Sequence, residues 1–131
     1  MDVILATHTD NPFLAMTNIE RYADASGYGC NLTVRSAWLS AVYPFHFEPY
    51  PLAEFIAALR ELDRTLKGQA TLKPMWEDHY LRFEGDGIGR VRVSGLLFDC
   101  GGNDQQVRFS FEVDQTCLAR FVADLTSASL P

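Results

Sequence analysis

One phrase is written twice in this chain, and it limits the possible folds more than anything else in it. "FHFE" at 45–48 runs into "LAEFIAAL" at 52–59, and "FSFE" at 109–112 runs into "LARFVADL" at 118–125. Each copy is a strand phrase with Phe at alternate positions, followed by a helix phrase with apolar residues three and four apart. Two copies of a ligand site and two copies of a structural unit would both look like this. The shared positions are all apolar, and patterning alone demands apolar residues there. The structural reading therefore prevails: Phe-x-Phe lines the core side of the last strand in each half, and the following helix lays its Leu and Phe stripe on it. The approximate repeat covers residues 29–67 and 89–127, and a chain of 131 residues is the size of a single domain, 1–131.

The rest of the chain fills in around these units. "VILATHT", "FLAMTNIERY" and "NLTVRSAWLSAVY" favour strands, separated by Asn11-Pro12 and by the turn cluster "DASGYG". In the third run Leu32, Val34, Trp38 and Val42 share one face at a period of two, and Pro44 interrupts the ladder before Phe45 and Phe47 resume it. Pro49 and Pro51 introduce a helix, since a proline in the first turn gives up an amide that has no partner there. Its stripe is Leu52, Phe55, Ile56, Leu59, Leu62 and Leu66, with Lys67 and Gly68 as end signals. Four more strand candidates follow, "ATLKP", "HYLRFE", "RVRVSGLLF" and "QVRFSFEV", with turns at "GDGIG" and "DCGGND". Asp114 is placed to cap a last helix with the stripe Leu118, Phe121, Val122 and Leu125. The expected fold is α+β: an open twisted antiparallel sheet of about seven strands with two helices on one face, in the order βββαββββα.

Charge narrows the partners. A net charge of −6 opposes a sequence-independent grip on phosphate, which depends on Lys and Arg displacing counterions. Nucleic acid and anionic membrane are excluded on that ground, whereas a basic protein surface would be attracted. Cys30, Cys100 and Cys117 are odd in number and far apart, as free thiols of a reducing compartment are. The start "MDVILATHTD" has only a short apolar run, and no stretch reaches the length of a membrane span, so the expected location is cytoplasmic.

Chemical signatures are sparse. "GDGIG" has the glycine rhythm of a dinucleotide loop, but strand residues follow it where that loop needs a helix. "DCGGND" lacks the alternating acids and distal Glu of a calcium loop. In "WEDHY" a carboxylate could orient His79, yet neighbours on a strand point to opposite faces. His8, His46 and His79 show no zinc spacing, and neither a metal nor another cofactor is implied. Cys117 falls in the first turn of the last helix, where the macrodipole lowers a thiol's pKa. Without a base or an oxyanion site it reads as a small buried side chain, and no catalytic residue is assigned.

One polar feature is organised. If Leu81, Phe83, Val91, Val93, Phe109 and Phe111 face the helices, then Arg82, Glu84, Arg90, Arg92, Arg108 and Glu112 face the other way as a charged ladder. Such a ladder keeps any exposed sheet soluble, and it also offers a polar docking surface for a partner.

The stretches "LAEFIAALRELDRTLKGQATL", "LRFEGDGIGRVRVSGLL" and "VRFSFEVDQTCLARFVADL" resemble the WapI-type immunity proteins of bacteria and their relatives. The resemblance covers about residues 45–125 and rests on fold-defining positions: a helix ending near Gly-x-Ala-x-Leu, a Gly-x-Val-x-Val strand, and a closing helix that begins near "DQTCL". It implies a non-catalytic, immunity-like inhibitor of a bacterial toxin domain encoded nearby. The alternative is a small-molecule binding or enzymatic domain with a pocket between the helices and the sheet.

Overall fold

The computed structural model describes residues 1–129. Strands β1 (Val3–Leu5), β2 (Phe13–Arg21), β3 (Tyr28–Ser36) and β4 (Leu39–Phe47) form one antiparallel sheet in chain order. Helix α1 (Pro49–Thr65) follows. Strands β5 (Lys67–Leu72), β6 (Tyr80–Asp86), β7 (Arg90–Phe98) and β8 (Gln106–Asp114) form a second antiparallel sheet, also in chain order. A single 3-10 turn at Gln115–Cys117 leads into helix α2 (Leu118–Ala128). The fold is α+β, and strand block and helix alternate twice, as the sequence predicts. The strands belong to two sheets of four, not to one sheet of seven.

The extra strand comes from the third run. The chain reverses at Ala37 and Trp38, pairing Ser36 with Leu39, so "NLTVRSAWLSAVY" is a hairpin. Reversal through a two-residue turn resets which residues face inward. Leu32 and Val34 are buried as expected, but Trp38 is 92% exposed and Val42 also faces solvent. The inward phase on β4 runs instead through Leu39, Ala41, Tyr43, Phe45 and Phe47. Pro44 does not break the strand: it lies opposite Asn31 and the ladder continues past it.

Helix α1 begins with Pro49 and Pro51 and buries Leu52, Phe55, Ile56, Leu59 and Leu62. Leu66 departs from the expected stripe. It is the left-handed C-cap at φ 65°, donating its amide to the Leu62 carbonyl at 2.8 Å, and Lys67 already opens β5. At the other helix Asp114 accepts the Thr116 amide at 2.9 Å and so caps the 3-10 turn that precedes α2. Phe45, Phe47, Phe55, Leu59, Phe109, Phe111, Phe121 and Leu125 all belong to one buried cluster built from both sheets and both helices. Burying a Phe or Leu side chain stabilises by about 1.5–3 kcal/mol, so this cluster dominates the folding energy.

The two sheets also meet through a polar contact. Tyr43 Oη on β4 donates to the Phe98 carbonyl on β7 at 2.7 Å.

Candidate functional site

The charged ladder lies on the second sheet as its alternation requires. Leu81, Phe83, Val91, Val93, Phe109 and Phe111 are buried, and the residues between them face outward. Register places Glu84 opposite Arg92 and Arg92 opposite Glu112. Arg92 donates through Nη2 to Glu112 at 2.7 Å and through Nη1 to Ser110 Oγ at 2.7 Å. Arg82 is partly buried: its Nε donates to Thr71 Oγ1 at 3.1 Å and its guanidinium lies 4.6 Å from the Tyr80 ring centroid. Arg90 and Arg108 are exposed and join none of the ion pairs among the described residues. Four arginines against two glutamates make the ladder net basic on a chain that is net acidic.

A second feature was not legible in the sequence. A cleft of about 830 Å³ opens beside the Tyr43–Phe98 contact, lined by β4, by the end of β7, by the β7–β8 connection and by the segment before β6. Trp76 to His79 lie ahead of β6 in irregular chain, so the strand geometry expected for "WEDHY" does not apply. His79 is 5% exposed, with its ring 5.4 Å from Tyr43, 5.5 Å from Phe45 and 5.6 Å from Phe98, centroid to centroid. Its Nδ1 is enclosed and has no hydrogen-bond partner. Burial holds the imidazole below its ordinary pKa, favouring the neutral ring.

Glu77 and Cys100 stand at the mouth of the same cleft. The Cys100 thiol donates to Glu77 Oε2 at 3.6 Å, and one donor atom from each of Glu77, His79 and Cys100 lies within 4.8 Å of the other two. Desolvation, then the neighbouring Glu77 carboxylate, pushes the Cys100 thiol above its ordinary pKa. His46 also lines the cleft, and its Nδ1 contacts Tyr22 Oη. A smaller groove of about 440 Å³ lies between α1 and α2, lined by Arg60, Asp63 and Val122 among others.

The remaining sequence candidates fall into structural roles. "GDGIG" is the β6–β7 turn, where Asp86 accepts the amides of Ile88 and Arg90 at 2.8 and 3.1 Å. "DCGGND" is the β7–β8 turn, with Asp99 accepting the Asn103 amide at 2.8 Å. Cys117 is buried, and desolvation, then the Asp114 carboxylate, raises its thiol pKa, the opposite direction to the lowering expected at a helix N-terminus. The three cysteines are free, and no helix is long and apolar enough to cross a membrane.

A family model for the immunity protein WapI-like family matches residues 9–129. The chain belongs to the WapI-like immunity protein family. The match takes in β2, β3 and β4, so it reaches well beyond the 45–125 region whose motifs carry the resemblance in sequence. Neither the curated proteins nor the solved structures give a match. For a WapI-like chain, the ladder and the cleft are two surfaces on which a role can be argued.

Proposed function

We propose that this chain is a non-catalytic immunity protein that binds a toxin domain encoded nearby, in the cytoplasm, and blocks it. Membership of the WapI-like immunity family over nearly the whole chain carries the reading. The physical requirement on such an inhibitor is a preformed surface of complementary charge, and the register that sets Arg82, Glu84, Arg90, Arg92, Arg108 and Glu112 along one face of the second sheet supports the ladder as that surface. Its net basic face fits an acidic patch on the target, while the net charge of −6 favours approach of a target that is basic elsewhere.

The test is co-expression with the toxin-like domain of the adjacent gene. Growth rescue together with co-purification supports the proposal; a toxin that kills equally with and without this chain overturns it. A second reading, a small-molecule binder or enzyme, draws on the 830 Å³ cleft, which lies between β4 and the β7–β8 turn and not where the helices leave the sheet. Turnover of a metabolite by the purified chain without any partner would favour that reading.

A further inference from the structure

We propose that Glu77, His79 and Cys100 form a binding site for one divalent transition-metal ion of the zinc class. The site is separate from the toxin-docking ladder and its test does not depend on that reading. Three donors of different chemistry, a carboxylate, an imidazole and a thiol, converge with their ligand atoms within 4.8 Å of one another. Around a tetrahedral zinc, bonds of about 2.0–2.3 Å place donor atoms roughly 3.3–3.7 Å apart. The 3.6 Å between Cys100 Sγ and Glu77 Oε2 already has that spacing.

The buried histidine points independently to a ligand. Native interiors rarely leave an enclosed ring nitrogen without a partner, because the lost hydrogen bonds to water cost about 1–3 kcal/mol. His79 bears that cost at Nδ1 while Tyr43, Phe45 and Phe98 hold its ring in place, and a nitrogen of the same ring is the donor that approaches Glu77 and Cys100. An imidazole fixed by packing and uncommitted to any protein partner is preorganised as a ligand. Glu77 and Cys100 are exposed, which leaves a path for the ion from the cleft.

Donor chemistry selects the class of ion. One carboxylate falls short of the six to eight oxygens that calcium takes, and a thiolate and an imidazole are softer than the oxygen ligands that magnesium prefers. Thiolate with imidazole suits zinc and its neighbours, with three protein ligands and one position left for water. Binding converts the Cys100 thiol to a thiolate, forms the metal–sulfur bond and releases the proton to solvent. The ion would pin the segment before β6 to the β7–β8 turn.

The experiment titrates the reduced, chelator-stripped full chain with zinc(II) by calorimetry and with cobalt(II) by absorbance. The expected result is one equivalent bound, a thiolate-to-cobalt charge-transfer band, and a raised melting temperature in zinc. Cys100→Ser should abolish the charge-transfer band and weaken zinc binding about 100-fold; Glu77→Gln should weaken it at least about tenfold. Both positions are exposed, so these variants fold; His8→Ala, an exposed histidine outside the cluster, should bind as the parent does. Absence of one-equivalent binding, or binding that Cys100→Ser and Glu77→Gln leave unchanged, overturns the site.

Discussion

Asn11 grips the peptide of Ala37 from both sides, its Nδ2 donating to the Ala37 carbonyl at 2.8 Å while its Oδ1 accepts the Ala37 amide at 2.9 Å. Ala37 stands at φ 54° in the β3–β4 turn, a left-handed conformation that costs a residue with a Cβ about 1–2 kcal/mol. The clamp offsets that cost by giving both polar groups of the turn a fixed partner. Asn11→Ala should lower stability by about 1–2 kcal/mol in urea denaturation. Asn11→Asp keeps the acceptor and loses the donor, so it should fall between Ala and the parent; equal loss in both variants would remove the clamp from the account.

The same clamp shows why half of the first sheet was hidden in the sequence. A two-residue hairpin is normally announced by Asn-Gly or Asp-Gly, and "SAWL" has neither. The turn is specified by a side chain 26 residues away, so Leu32, Val34, Trp38 and Val42 read as one continuous face. The second sheet was legible because its turns carry their own glycines, including Gly87 at φ 88° and Gly102 at φ 99°. The ladder followed from strand alternation alone. The Glu77, His79 and Cys100 cluster could not, since it depends on an irregular segment meeting a hairpin turn, and no sequence spacing records that encounter. The adjacent "WEDHY" residues gave the only signal.

Gly95 and Phe109 should prove energetically coupled. They face each other across β7 and β8, and a Cβ on Gly95 would lie 2.5 Å from Cε1 of the Phe109 ring. Gly95→Ala should therefore cost about 1–3 kcal/mol through overpacking, and Phe109→Ala about 3–5 kcal/mol through the lost ring. In the double variant the new methyl group enters the space the ring has left, with only the Tyr80 carbonyl oxygen at 2.9 Å still crowding it among its nearest neighbours, so the combined loss should be smaller than the sum. Strict additivity would mean that the ring does not cover this glycine.

The thiols should separate by burial. Unfolded, unreduced protein should titrate as three free groups; native protein should expose only Cys100 to a thiol reagent, with Cys30 and Cys117 protected. Burial pushes the Cys30 thiol up to about 12. A folded pKa raised above the unfolded value contributes stability that is complete below the unfolded value, near 8.5, and is lost as pH climbs toward the folded one. Stability should accordingly decline from about pH 9 upward, and Cys30→Ala should decline less steeply in the same denaturation series. An identical slope in both proteins would assign the alkaline loss to other groups.

The ladder supplies the last prediction, which tests where a toxin docks. Arg92 is tied to Glu112 and Ser110, and Arg82 to Thr71, whereas Arg90 and Arg108 are exposed and outside the ion pairs of the described residues. Reversing both in Arg90→Glu/Arg108→Glu changes the face from net basic to net acidic. Exposed substitutions of this kind should shift folding stability by no more than about 0.5 kcal/mol. Against the co-purifying toxin domain, the association rate at low salt should fall by about tenfold or more, and the difference from the parent should shrink as salt screens the charges. Arg92→Ala acts differently, because it removes a guanidinium held in place by two partners and leaves Glu112 unpaired; its effect should appear in the dissociation rate. Surface plasmon resonance across a salt series separates the two. If both variants bind and rescue growth as the parent does, the ladder is only a solvated sheet face, and the toxin docks on the acidic surface elsewhere.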